Sequence, residues 1–363
     1  MNSALIESIA NAVLYEGYML YPYRPSAVKN RQRWNFGVVY PRSYSEMQNG
    51  TDAWFMQTQC LLQGTASAGV DVRVRFLQAV SRKMGKPAAP MAAGTREPEL
   101  EIVETLEIGN KTFQSWQEAI ERNVVVPRTR MADLLAGAIN LVFRFPCARE
   151  LEPVVGDSGA IAAFIVRTRE EVRGSVKLSA EKCGADLFKL TVVISNLTPL
   201  DDPSFLPREE VLLKALLSAH TILGATGGEF VSLIDPPSDL REIASECKNV
   251  GTWPVLVGES ACKDAMLSSP IILYDYPQIA PESPGDLFDG SEIDEILALR
   301  ILTLSDDEKR EIRQTDERAR EVLERTEMMP AEHFLKLHGV LRGMKPADDF
   351  GGLGGGPSRE GER

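Results

Sequence analysis

Between residues 55 and 200 the chain is cut by Gly, Pro, Asn, Asp and Ser into short apolar runs, and this texture limits the fold more than any other feature. In "VDVRVRF", Val70, Val72 and Val74 alternate with Asp71, Arg73 and Arg75. That is the two-residue period of a strand with one buried face. "AWFMQTQCLLQG" reads as another strand, and Gly-rich "GTASAG" between them predicts a hairpin or two adjacent strands. "LEIVETLEI", "INLVFRFP", "AAFIVRTREEV", "RGSVKLSAEKC" and "DLFKLTVVISNLT" add further strands, while "SWQEAIERNVV" and "MADLLAGAI" are expected as short helices. "GKPAAPMAAGTREPE" lacks apolar periodicity and reads as an exposed linker. No internal repeat is visible, which argues against a solenoid or propeller.

After residue 200 the texture changes. "PREEVLLKALLSAHTILGATGGEF" predicts a helix opened by Pro207 and closed by Gly224. Strand "FVSLIDPP", helix "SDLREIASECKN" and strands "WPVLVG" and "SPIILYDY" follow. From "LSDDEKREIRQTDERAREVLERTEMM" the chain is helical and charged, with Asp306–Arg310, Asp316–Arg320 and Glu321–Arg325 at i,i+4 spacing.

The expected fold class is α+β, with a largely antiparallel, β-rich N-terminal half and an α/β-type second half packed on it. Charged C-terminal helices and a disordered Gly-rich tail complete it. The corresponding divisions are 1–200, including an N-terminal helix over 3–15, then 201–302 with an acidic Pro-rich loop, 303–342 helical and charged, and 343–363 the tail.

Composition excludes several function classes. The chain has 363 residues, of which 44% are hydrophobic and 25% charged. It contains no run near the ~18 apolar residues a membrane span requires. "MNSALIESIANAVLYEGYML" lacks a basic leader and reads as an amphipathic helix, so a cytoplasmic location is expected. Five cysteines without C-x-x-C spacing and only three histidines argue against a disulfide framework, a zinc site or an iron–sulfur cluster. No cofactor is expected. A net charge of −12 opposes a general nucleic-acid or anionic-membrane role.

That charge is polarised. From Asp264 to Leu299 there are eight acids and no base. Glu292, Asp294 and Glu295 follow Ser291 and suit the first turn of a helix capped by that serine. Asp275, Glu282, Asp286 and Asp289 remain, in a loop stiffened by Pro277, Pro281 and Pro284. Three readings stand for this loop: a docking surface, a metal site without EF-hand register, or a solvated connector.

A second candidate is "YEGYMLYPYRPSAVKNRQRWNFGVVYPRSY", which holds six of the eight tyrosines, Trp34 and five bases. Tyr, Trp and Arg are enriched at protein interfaces. The same residues would serve single-stranded nucleic acid, or would simply pack on the sheet with their bases solvated or paired to the acidic loop. "GATGGEF" follows a predicted helix, which is the wrong order for a phosphate loop, and His220 reads as a helix-flank histidine.

"LLKALLSAHTILGATGGEFVSLIDPP", "CKNVGTWPVLVGE", "MLSSPIILYDYPQIAPESPGDLFDGSEIDEILALRILTLSDDEKRE" and "YPYRPSAVKNRQRWNFGVVYPRSY" resemble a family of uncharacterised bacterial proteins encoded beside uptake-type [NiFe] hydrogenases and their maturation factors. The resemblance spans most of residues 15–340. It implies an accessory role in assembly, maturation or stabilisation and transfers no catalytic residue.

The expectation is a non-catalytic cytoplasmic protein that docks on a hydrogenase subunit or maturation factor. One surface would carry Asp275, Tyr276, Glu282, Asp286, Phe288 and Asp289, and another Tyr21, Tyr23, Arg24, Arg31, Arg33 and Trp34. The alternative is a metal-dependent enzyme, such as a hydrolase, ligating through Asp275, Asp286 and Asp289.

Overall fold

The computed structural model describes residues 3–25, 27–31, 33–88, 98–109, 111–157, 159–279, 287–288 and 294–330. Its first elements are α1 (Ser3–Tyr15), α2 (Val28–Arg31), α3 (Arg42–Met47) and β1 (Phe55–Pro87). Next come β2 (Leu100–Val103), β3 (Thr105–Ile108), β4 (Lys111–Gln114), β5 (Trp116–Arg130), α4 (Met131–Ala136) and β6 (Ile139–Phe145). They lead to β7 (Ala148–Val155), β8 (Ile161–Arg169), β9 (Val172–Lys182), β10 (Leu187–Asn196) and α5 (Arg208–Leu212). The second half adds β11 (Leu217–Val231), α6 (Arg241–Ser245), β12 (Trp253–Leu256), β13 (Ala265–Ser269), α7 (Asp294–Leu302), α8 (Asp306–Thr315) and α9 (Glu317–Glu327). The protein is α+β, built on an antiparallel sheet that holds eleven strands among the described residues.

The 33-residue strand β1 is the spine of that sheet. Along one edge it pairs with β10, then β5, then β2, and along the other with β11 and then β8. No other strand meets so many partners, because none is as long. Beyond β10 lie β9 and β6, and beyond β11 lie β13 and β12. A register shift between Gly64 and Gly69 breaks the β1–β11 ladder where the spine bends.

Val70, Val72, Val74 and Phe76 face inward, and their core takes in Val124 and Val126 of β5, Val176 and Leu178 of β9, and Val192 and Ile194 of β10. The Phe76 ring lies 5.8 Å from both Phe143 and Phe145 of β6. The sheet therefore curls until its β6 edge faces β1. Helix α4 spans the step from β5 to β6, and its Met131 and Leu134 are buried in the same core.

The outer face carries the helices. Ile6, Ile9 and Val13 of α1 pack on Ile222, Val255 and Leu267, which seats the helix over β11, β12 and β13. Each such burial contributes roughly 1.5–3 kcal/mol, which a short helix needs because it is marginal alone. Leu297 and Ile301 of α7, Ile312 of α8 and Val322 and Leu323 of α9 join the N-terminal aromatics over Leu77 and Ala79 of β1. A capping box at Ser305 and Glu308 starts α8, and the Asp316 carboxylate caps α9.

Several expectations are corrected. "AWFMQTQCLLQG" and "VDVRVRFLQAV" are one continuous strand, with "GTASAG" inside it as an irregularity and no hairpin turn. "SWQEAIERNVV" is strand β5, held by pairing along β1. The helix expected over 207–224 stops at Leu212, and after a turn β11 begins at Leu217. Residues 217–224 are buried throughout, between the core on one face and α1 on the other. A strand apolar on both faces loses its alternation and passes for a buried helix. Gly224 is thus a strand residue, where a Cβ would meet an Asp71 carboxylate oxygen at 2.9 Å. β11, β13 and β12 extend the sheet of the first half and form no separate layer on it. "SPIILYDY" forms a strand only through Ser269. Arg310 pairs with Asp307, and Arg320 with Glu317 and, at 3.9 Å, Glu324; Asp316 is taken by its cap. The Gly-rich tail and Ser291 lie outside the described residues.

Candidate functional site

The two segments singled out in the sequence meet inside this chain. The Tyr23 hydroxyl donates to the Leu287 carbonyl at 2.6 Å, and the Gly17 amide donates to the Phe288 carbonyl at 2.9 Å. The Phe288 ring sits 5.9 Å from Tyr15 and 6.2 Å from Tyr18. Tyr23, Trp34 and Phe288 are buried in the cluster beneath α7, α8 and α9. As a surface patch, these three are a correction: they are packing residues, because aromatic rings this large find more apolar area to bury under the C-terminal helices than in solvent.

Their backbones are unusual. Tyr23, Trp34, Tyr276 and Phe288 have φ of 59°, 66°, 54° and 57°. A side chain in the left-handed region costs about 1–3 kcal/mol, and it persists only where the surroundings hold it. At Trp34 the hold comes from Arg208, whose guanidinium donates to the Trp34 carbonyl at 2.9 Å and to that of Arg33 at 3.4 Å.

Arg33 is also a correction as a docking residue, since it is only 2% exposed. Its guanidinium carbon lies 3.7 Å from the centre of the Trp116 ring, 4.6 Å from Trp34 and 5.3 Å from Tyr18. Its Nη1 donates to the Tyr18 carbonyl at 2.7 Å. Burial lowers the Arg33 pKa to about 10, opposed by Tyr18, Asp316 and Glu118. Burial, followed by the neighbouring Asp316, pushes the Tyr18 hydroxyl well above the ordinary tyrosine range. That hydroxyl donates to Asp316 at 2.8 Å, so the start of α9 is tied to the aromatic layer.

Arg24 pairs with Glu308 at 3.1 Å and Glu311 at 3.6 Å, both on α8. Tyr21 is half-buried, with the Arg300 guanidinium 5.6 Å from its ring centre. Arg31 ends α2, and its side chain lies outside the described residues, as do Glu282, Asp286 and Asp289.

Asp275 and Tyr276 are structural in this chain. The two Asp275 carboxylate oxygens accept from the Ser232 hydroxyl and from the Leu256 amide, and the Tyr276 amide returns a bond to the Leu256 carbonyl at 2.7 Å. Together they clamp the segment after β13 to the edge strand β12. Among the described residues no group of three or more His, Cys, Asp or Glu is arranged to hold a metal ion. No helix among them is long and apolar enough to cross a membrane.

The clamp leaves an apolar strip that the sequence pattern did not single out. Ile271 and Leu273 turn inward against the α1 layer, whereas Ile272 and Tyr274 are 76% and 84% exposed. Trp253, whose backbone pairs with Ser269, is also exposed. The signal was present in "IILYD" as apolar residues on both alternating faces, but a strand covered on both sides shows the same pattern.

Comparison with protein-family models and with curated proteins finds no match to this chain.

Proposed function

We propose that this protein is a non-catalytic accessory protein that docks onto a [NiFe] hydrogenase subunit or maturation factor and assists assembly, maturation or stabilisation. The observation that carries the docking half of this reading is the exposed pair Ile272 and Tyr274, held outward on a segment pinned by Asp275. Large apolar side chains fixed in an extended, pre-ordered segment lose little entropy when a partner covers them. The sequence around them is acidic without interruption from Asp264 to Leu299. A complementary surface would therefore be apolar with a basic rim, the acids setting orientation and association rate. The hydrogenase half rests on the resemblance of the segments quoted above. Glu282, Asp286 and Asp289 enter this reading through the sequence alone, since they lie outside the described residues.

A photo-crosslinking residue placed at position 274 tests it, in cells expressing the hydrogenase. The expected result is a covalent adduct that contains a hydrogenase subunit or maturation factor. Adducts with none of these components would contradict the reading.

A further inference from the structure

Arg33 and Trp116 border a cavity of about 810 Å³ on the outer face of the sheet, together with Arg82 and Lys83 of β1. Arg33 Nη2 has no hydrogen-bond partner, and neither has the Trp116 indole nitrogen, although the two residues are only 2% and 8% exposed. No carboxylate among the described residues is ion-paired with Arg33. Native interiors rarely leave such donors unpaired, and a buried guanidinium is the most demanding of them. The three aromatic rings and the nearby Asp316 and Glu118 carboxylates favour its charge, but none of them accepts from either donor.

We propose that this cavity binds the oxyanion group of a small carboxylate- or phosphate-bearing molecule, with Arg33 Nη2 and Trp116 Nε1, both covered by neighbouring atoms in this structure, as the two donors that a small shift of the lining side chains presents to it. A guanidinium whose carbon lies 3.7 Å from an indole ring centre is held in place by that contact, and a guanidinium edge matches a carboxylate or phosphate. Arg82 is held by the Gln114 carbonyl at 3.0 Å and ion-paired with Glu118 at 3.3 Å, although its Nε makes no hydrogen bond, so its main contribution to the site is positive field. Lys83 supplies an exposed positive charge at the rim. Glu104, Glu209 and Glu210 also line the cavity, which excludes polyanions and restricts the site to a ligand with one compact anionic group. The size suits a metabolite. The site is separate from the Ile272–Tyr274 strip and stands or falls independently of it.

The test uses the purified full chain, titrated separately with inorganic phosphate and with propionate at constant ionic strength, and followed by tryptophan fluorescence and calorimetry. Saturable binding of at least one probe, at one site per chain, is expected, and which probe binds assigns the chemistry. Trp116→Phe keeps an aromatic ring beneath the guanidinium and removes only the indole donor, so it should weaken binding at least fivefold while leaving the melting temperature within a few degrees. Arg33→Gln should abolish binding. If that variant fails to fold, Trp116→Phe decides alone. Saturable binding of neither probe, or unchanged affinity in either folded variant, would overturn the proposal.

Discussion

The Tyr23 hydroxyl and the Leu287 carbonyl oxygen are 2.6 Å apart, joining residues 264 positions distant in sequence. Through this bond the aromatic N-terminal segment grips the segment that leads into α7. Tyr23→Phe keeps the ring and leaves the buried carbonyl unpaired, which costs about 1–3 kcal/mol. Urea unfolding should show that loss as a lower midpoint at unchanged slope, since the compactness of the unfolded chain is not altered. An unshifted midpoint would mean that the junction contributes nothing to stability.

Arg75 is the second junction. It is buried on the outer face of β1 and bonds Glu7 at 3.3 Å and Asn11 at 2.8 Å, both on α1, and Glu121 of β5 at 3.1 Å. Glu7 is further held by Arg73. Arg75→Leu keeps apolar bulk but removes one cationic partner from Glu7, which keeps Arg73, and from Glu121, which keeps Tyr15, so a loss of about 1.5–3 kcal/mol is expected. Amide exchange should rise first in α1, because the helix loses its polar clamp while the core beneath the sheet stays intact. Uniform acceleration across the molecule would contradict that localisation.

These two junctions show what sequence could and could not reveal. Val70, Val72 and Val74 declare a half-buried strand because one face is core and the other is polar. β11 conceals itself because α1 covers its second face. Tyr, Trp and Arg in residues 15–44 mark an interface by composition, and here that interface is intramolecular. Composition cannot distinguish a partner protein from the chain's own C-terminal helices, which lie nearly 300 residues away. Trp116 was hidden by helical spacing in "SWQEAI", and only its pairing with Arg82 across β1 and β5 places it under Arg33. Ile272 and Tyr274 stayed ambiguous because period-two apolarity does not tell which face remains uncovered.

His220 sets an acid response. It lies opposite Arg75 in the β1–β11 ladder, beneath α1, with Nδ1 3.0 Å from the Ser218 carbonyl and no partner on Nε2. Burial lowers its pKa to about 3; Arg75 and Arg73 act in the same direction, while the Ser218 carbonyl and Glu121 oppose. Glu7 and Asn11 of α1 complete its polar surroundings through Arg75. The unfolded histidine titrates near 6.5. Between that value and about 3 the unfolded chain therefore binds the extra proton, so stability falls as pH falls through this window, by up to ~1.4 kcal/mol per pH unit. His220→Leu removes this contribution. Urea unfolding at pH 7, 6, 5 and 4 should show the stability difference between parent and variant shifting steadily in favour of the variant. Parallel curves would contradict the assignment.

The most direct measurement of the docking account compares the parent chain with the Ile272→Ser, Tyr274→Ser double variant. Both side chains are largely exposed, so the two proteins should melt within a few degrees of each other. Each tagged chain is purified from cells expressing a [NiFe] hydrogenase, and every hydrogenase subunit and maturation factor is quantified by mass spectrometry. The account predicts that at least one such component copurifies with the parent and is depleted tenfold or more with the double variant. Recovery of none with the parent, or equal recovery with both, would contradict it.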